Sequence, residues 1–347
     1  MSLNIPSVSI LLPIRNEEPY IQNTLATVLA QDYVDAQIEI LVIDGMSSDH
    51  TREIVVEIQK NHPERAIRLL DNPQKIVSTG LNIGLRQAKG EVIIRVDGHC
   101  EIAADYVRQC VNLLMETDAD NVGGRMTAIA SSPFGGAVAV ATSTPFGVGG
   151  ARFHYAEAEE WVDTVYLGAW HKSIFDRTGY FDEELVRDQD DEFNYRLRSY
   201  GGKVLLSPSI QSIYYTRSTA RSLWRQYFQY GFWKVRVLQK HPAQMRPRQF
   251  VPFLFVLSLI GSGALGIFSV WGKWLLAGIL GAYLVANLAA SVWTASKKGW
   301  RYLGSLPFVF TILHLSYGFG FLAGLIRFIR RWGDKVGKVP DFQGSDA

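Results

Sequence analysis

Between Glu192 and Asp334 the chain carries no aspartate or glutamate, and that stretch holds three long runs with no charge at all: Phe250–Val270, Trp274–Ala295 and Tyr302–Ile326. Each is long enough to cross a hydrocarbon core of about 30 Å. Such runs become either membrane spans or the buried helices of a soluble core. Trp271, Trp274, Trp293, Trp300 and Trp332 flank them, as aromatics do at a membrane–water boundary. The expectation is a membrane domain over 250–332, preceded by a basic, aromatic, amphipathic interfacial segment at 217–249 and followed by a polar tail at 333–347.

The excess of Lys and Arg on cytoplasmic loops puts Arg246 and Arg248 on the same side as Lys297, Lys298 and Arg301, which suits a hairpin of two spans. The third run then leads outward, yet it ends in Arg327, Arg330 and Arg331. Either the rule is violated or Tyr302–Ile326 is re-entrant. Pro307, His314 and the Gly318, Gly320, Gly324 series permit a broken segment.

The net charge of +2 hides a partition. Residues 1–192 hold 30 acidic and 15 basic side chains, and residues 193–347 hold 3 and 20. Such asymmetry marks a chain with two jobs. The basic half is expected to face phospholipid headgroups or a phosphorylated lipid. It does not suit nucleic acid, because its cations are interleaved with very apolar segments. Cys100 and Cys110 make neither a disulfide framework nor a zinc pattern and read as small buried thiols. Met1–Pro6 has no basic region ahead of an apolar run, so the first domain, 1–216, is expected in the cytosol, attached to the cell membrane.

Within that domain, apolar strand patterns at Val8–Leu12, Ile38–Ile43, Ile67–Leu70 and Val92–Val96 alternate with helical patterns at Ile21–Ala30, Thr51–Asn61 and Thr79–Lys89. The alternation predicts an α/β domain, a mostly parallel sheet flanked by helices. Ligands gather at the carboxyl ends of such strands. Pro13–Glu18, Asp44–Asp49 and Asp97–His99 all fall there. Residues 121–160, rich in Gly, Ala, Ser and Thr, read as long loops. Asp97-Gly98-His99 offers a carboxylate and an imidazole, a donor pair suited to a divalent ion that also holds phosphate oxygens. Asp49 sits where a helix cap belongs.

The ordered set Val8-Ser-Ile-Leu-Leu-Pro-Ile-Arg-Asn-Glu-Glu18, Val42-Ile-Asp-Gly-Met-Ser-Ser-Asp-His-Thr51 and Gly90-Glu91 followed by Asp97-Gly98-His99 resembles the nucleotide-sugar domain of family 2 glycosyltransferases, with a fold of the glycosyltransferase A type. The likeness covers about residues 7–240. It is nearer to the branch of the succinoglycan-biosynthesis glucosyltransferase and related membrane-tethered enzymes. It implies that Pro13, Arg15, Glu17, Asp44 and Asp97 bind the donor, and that Asp97 and His99 hold a divalent cation, Mn²⁺ or Mg²⁺. The family usually has Asp where His99 stands, which leaves the choice of metal open.

Gln189-Asp190-Asp191-Glu192-Phe193-x-x-Arg196 resembles the family's acidic base motif, with Gln189 in place of Glu. Asp190 then aligns with the base, and Asp191 is its rival. A cluster that only caps the following helix, with Asp188 as cap, is the alternative. Arg221, Arg225 and Gln226 resemble the segment over the donor pyrophosphate; interfacial snorkelling would also explain those arginines. Trp170 and His171 are candidates to bind an acceptor sugar, against a core role for Trp170.

The resemblance thus implies an inverting, metal-dependent transfer from a nucleotide diphosphate sugar, UDP-linked by preference. The acceptor would be lipid-linked or a saccharide at the cytosolic membrane face, in polysaccharide biosynthesis beside other assembly proteins. A polyprenyl-phosphate sugar synthase is the alternative within the fold. A non-catalytic scaffold is another alternative. A processive synthase lacks its Gln-x-x-Arg-Trp motif here. A dinucleotide oxidoreductase lacks its glycine fingerprint after the first strand.

Overall fold

The computed structural model describes residues 5–130 and 132–334. The expectation read from the first residues, and most of that for the tail 333–347, fall outside this range. The chain forms two compact units. One takes the residues up to Thr127 and then Arg152–Tyr214; the other takes Ala128–Ala151 and the described chain from Tyr215 on.

The first unit is built on β1 (Val8–Ile14), β2 (Ile38–Asp44), β3 (Ala66–Asp71) and β4 (Val92–Arg95). These four run parallel in the order β3-β2-β1-β4. All seven residues of β1 are buried, as expected of a parallel strand covered on both faces. Ile10, Leu12, Val42 and Ile94 pack on one face, beneath α1 (Ile21–Leu29), α2 (Thr51–Asn61) and, further on, α4 (Tyr106–Glu116). Leu11, Leu41, Ile43 and Ile93 pack on the other, beneath α3 (Val77–Gln87). The period of two sorts neighbours to opposite faces.

Beyond β4 the sheet changes sense. It continues through β8 (Tyr166–His171), β6 (Asn121–Ile129), β9 (Val204–Tyr215) and β5 (Cys100–Ile102), with β7 (Glu160–Trp161) beside β9. The pairings of β8 with β4 and β6, and of β5 and β7 with β9, are antiparallel, so the sheet is mixed, its first four strands parallel. The stretch expected to be loop, 121–160, in fact supplies β6, α5 (Pro133–Thr142) and α6 (Pro145–Val148). A Cβ on Gly124 would collide with the Ile210 carbonyl of β9, so glycine there serves strand packing. Two more helices, α7 (Ile174–Thr178) and α8 (Gln189–Ser199), close the second face. Cys100 and Cys110 are buried free thiols.

The second unit holds α5, α6 and four long helices: α9 (Ala220–Lys240), α10 (Pro247–Phe268), α11 (Val270–Lys298) and α12 (Leu306–Arg327). The Thr219 side chain caps α9 by accepting from Ser222 N. Ser269 alone separates α10 from α11. The last three are each long and apolar enough to cross a membrane.

Candidate active site

At the carboxyl ends of β1 and β2 two turns lock together. Asn16 sits in the left-handed region at φ 55°, which asparagine tolerates better than most residues. Its side-chain oxygen accepts from Ser48 N at 2.9 Å, while its own N–H donates to Ser47 Oγ at 2.9 Å. Glu17 N donates to Thr51 Oγ1 at 2.8 Å. Asp44 lies beneath, fully buried, accepting from Ser47 Oγ at 2.6 Å and from Arg52 Nη1 at 3.0 Å. Its carboxylate thus helps to hold the loop. Asp49 accepts from Thr51 N and Oγ1 at the start of α2. Burial works against its charge, but the Thr51 hydrogen bonds prevail and hold the carboxyl below its ordinary range. Pro13 is in β1 opposite Ile43, and exposed Arg15 borders Gly45.

The end of β4 carries the next group. Arg95 and Asp97, two apart and on one side of the strand end, form a bidentate pair. Nε lies 2.8 Å from Oδ1 and Nη2 lies 3.2 Å from Oδ2. The chain then turns, Cys100 N donating to Asp97 O at 3.1 Å. A turn, and not extended backbone, therefore presents His99. Its Nδ1 meets Glu17 Oε1 at 3.0 Å. A Cβ on Gly98 would lie 2.9 Å from Glu17 Cγ, so this glycine is what lets Glu17 pass to the imidazole. Tyr214 meets the His99 ring edge-on, centroids 5.4 Å apart.

Asp190 opens α8. That helix is fixed from below: Glu192 and Arg196 pair at 2.9 Å in the core, and Arg196 also donates to the carbonyls of Thr178 and Tyr180. Asn194 bonds Asn121 and Thr164 at 2.7 and 2.8 Å. Asp188 adopts φ 60° and makes no side-chain capping bond, so it does not cap the helix in the way expected. Burial raises the Asp190 carboxyl above its ordinary range; Arg95 draws it down, and Asp191 and Asp97 push it up. Asp190 therefore shares one electrostatic environment with the β4 end. Burial alone would depress Arg95, but Asp97 and Asp190 raise it. Among the described residues its buried Nη1 has no hydrogen-bond partner, a costly state for a charged donor and one that an incoming anion would relieve.

Two expected residues fall elsewhere. Trp170 is in the core between Phe175, Phe181 and Phe193. His171 pairs with Val92, at the opposite end of β4 from Asp97, and lies against Leu114 O at 3.2 Å. Neither can meet an acceptor at the strand ends. Arg221, Arg225 and Gln226 belong to the second unit, on the first turns of α9. Arg221 and Arg225 are exposed, and Gln226 bonds Arg217 and Tyr230 at 3.3 and 2.9 Å. The residue the sequence reading missed is Arg95. Its signal was present: a cation inside an apolar strand, two places before the carboxylate.

Among the described residues no three His, Cys, Asp or Glu side chains gather as a metal cage. Asp97 and His99 still fit an ion that takes its other ligands from a diphosphate and water. A carboxylate has about four lone-pair sites, so Asp97 keeps acceptor capacity beside Arg95. With Glu17 on Nδ1, Nε2 is the atom that could face an ion, the carboxylate–imidazole arrangement common behind metal-bound histidines.

Residues 9–161 match the family model described as glycosyl transferase family 2. This chain carries a family 2 glycosyltransferase domain. The glycosyltransferase is 28% identical to succinoglycan biosynthesis protein ExoA of Rhizobium meliloti, over 95% of this chain and 98% of that one. It is also 28% identical to a dolichyl N-acetyl-α-D-glucosaminyl phosphate 3-β-D-2,3-diacetamido-2,3-dideoxy-β-D-glucuronosyltransferase of Methanococcus voltae, over 92% and 97%. In fold it is similar to mannosyltransferase PcManGT of Pyrobaculum calidifontis, solved with GDP-mannose and Mn²⁺, at TM-score 0.60 and 19% identity over 93% and 88% of the two chains.

Proposed function

We propose that this glycosyltransferase moves a sugar, with inversion, from a nucleotide diphosphate sugar, UDP-linked by preference, to a hydroxyl of a lipid-linked or saccharide acceptor. The reaction takes place at the cytosolic face of the cell membrane, in polysaccharide assembly. The observation that carries the reading is the shared environment of Asp190 and Asp97 around Arg95. Both full-length relatives are named for glycan assembly, and one for a dolichyl-phosphate-linked substrate, which supports a lipid-linked acceptor.

Asp97 and His99 would hold a divalent cation, which neutralises charge on a leaving diphosphate without a proton. Glu17 fixes the ring of His99. The locked turns of Asn16–Thr51 give the nucleotide a rigid floor. Arg95 brings a positive charge to the end of β4, where the diphosphate is anionic. Asp190 takes the proton of the acceptor hydroxyl as that oxygen bonds to the anomeric carbon. The bond from that carbon to the phosphate oxygen breaks on the far side, and its electron pair leaves with the nucleotide. Attack opposite the leaving group inverts the anomeric centre.

The test is a thermal-shift panel of UDP- and GDP-sugars with Mn²⁺ or Mg²⁺, since a ligand of the native state raises its melting temperature. The best donor is then incubated with lipid extract and the linkage read by NMR. No stabilisation by any donor, or a product of retained configuration, would end the proposal. A phosphate acceptor would need no base, so full activity of Asp190→Asn would favour polyprenyl-phosphate sugar synthesis instead.

A further inference from the structure

The three apolar helices are not equivalent. α10 and α11 pack as an antiparallel hairpin; a Cβ on Gly272 would collide with the backbone of Leu265 and Gly266 at its tip. Midway down, Phe255 stacks on Tyr283 with ring centroids 4.4 Å apart. At that level α12 touches the hairpin through its own middle, His314 Nδ1 lying 3.1 Å from Tyr283 Oη.

From His314 the contacts of α12 run the same way in both directions. Toward its N-terminus, Pro307 O and Thr311 Oγ1 each accept from Asn287 at 3.0 Å, one turn along α11 toward Lys297 and Lys298. Toward its C-terminus, Gly318 lies on the Pro252 carbonyl, and Phe321 meets Phe253 and Phe250 at 5.0 and 5.7 Å. Those residues lie back along α10 toward Arg246 and Arg248. Pro307 and Phe321 are each seven residues, or about 10 Å, from His314. A helix spanning beside the hairpin would approach the base at one end and the tip at the other. Here both ends approach the base.

The surroundings agree. Half of the apolar window of α12 is buried by protein, against 17% for α10 and 11% for α11. Its N-terminal half packs on α5 and α6, with His314 Nε2 2.8 Å from Phe146 O. Its C-terminal half packs on α9, where Gly320 and Gly324 meet the carbonyls of Phe228 and Phe232. Among the described residues the tip half of the hairpin has no such cover: Phe268 is 89% and Trp271 76% exposed. Its only charge is Lys273.

We propose that α10 and α11 alone cross the phospholipid bilayer. On this reading α12 lies across the base of the hairpin in the near leaflet, and the chain after Arg327 remains on the side where α9 begins. The arginines after α12, the basic pairs at the feet of α10 and α11, and the anionic headgroups of one leaflet then share a face. Lys273 stands alone on the other, between Trp271 and Trp274 at the far boundary. The positive-inside pattern is obeyed throughout. At 22 residues α10 is about 33 Å long, enough for one crossing.

The inference rests on the membrane placement proposed above. It is tested in the full chain with single cysteines at Met115→Cys, Lys273→Cys and Gly333→Cys, labelled by a membrane-impermeant maleimide in right-side-out and inverted vesicles. Cys100 and Cys110 are buried and give the unlabelled background. Lys273→Cys should react only from one side, and Met115→Cys and Gly333→Cys only from the other. Gly333→Cys reacting from the Lys273 side would mean that α12 crosses, and would overturn this inference alone. All three reacting from one side would mean that the hairpin does not cross, and would remove the membrane placement as well. Donor binding by detergent-solubilised protein reports separately on the enzymatic reading.

Discussion

Both oxygens of Asp97 are held by a single guanidinium, that of Arg95, at 2.8 and 3.2 Å, and the same cation lowers the proton affinity of Asp190. One buried charge therefore serves two carboxylates with different proposed tasks. Arg95→Ala should cost about 10–100-fold in kcat/KM, the range for groups that orient a metal ligand. It should also move the acid limb of the pH–rate profile upward, because a charge that favours ionised Asp190 is gone. Arg95→Lys should keep the limb near its place, since the charge remains, while still losing the two-pronged grip. An acid limb unmoved in Arg95→Ala would sink the link between Arg95 and Asp190.

Asp190→Asn separates a base from a helix cap. As a base, Asp190 should be worth about 10²–10⁴ in kcat. Its folded-state pKa is raised, so above the unfolded value its ionised form costs stability, and that cost grows as pH rises through the folded pKa. The amide removes that cost. Asp190→Asn should thus melt no lower than the parent at neutral pH, and the difference should vanish in acid. Lost activity with a lowered melting temperature would instead mark Asp190 as structural.

Much of this site was legible in the sequence, and the failures have physical causes. β1 and β4 announce themselves because a strand buried on both faces must be apolar throughout, and their ends carry the candidate site. Residues 121–160 misled because small residues suggest loops. Here Gly124 is small to let β9 approach, and Ala137 and Ala141 are small to let α12 approach. Trp170 misled because composition does not show which face of β8 it occupies. Arg95 was missed because its meaning depends on α8, which follows nearly a hundred residues later.

Glu17 should matter through His99. Glu17→Gln keeps the shape but weakens the hydrogen bond that fixes the ring. Mn²⁺ affinity, read by paramagnetic resonance in the presence of UDP, should fall about 10–100-fold, while UDP affinity without metal changes little. Equal loss with and without metal would mean that Glu17 contacts the nucleotide and not the metal site.

Trp170→Ala should behave as a core deletion. Removing a buried indole costs about 3–5 kcal/mol, to be seen in urea unfolding of the full chain in detergent. The milder Trp170→Phe should fold and keep the acceptor KM. A raised acceptor KM in Trp170→Phe at unchanged stability would restore the acceptor role that its burial argues against.

The contact of α9 with α12 depends on glycine. Gly231 meets the Tyr317 carbonyl, and Gly320 meets that of Phe228, so the two backbones approach as small-residue helix pairs do in membranes. Any side chain at either place must push the helices apart. Gly320→Leu should therefore lose stability on the scale of about 1–3 kcal/mol seen when packed sites are overfilled, and hydrogen exchange should quicken along α9. Gly261→Leu is the control: it sits on α10, in the same class of apolar helix, with open space where a Cβ would go. It should change neither reading. Equal loss in both variants would show that the helices merely resist bulk, and that no specific seam joins α9 to α12.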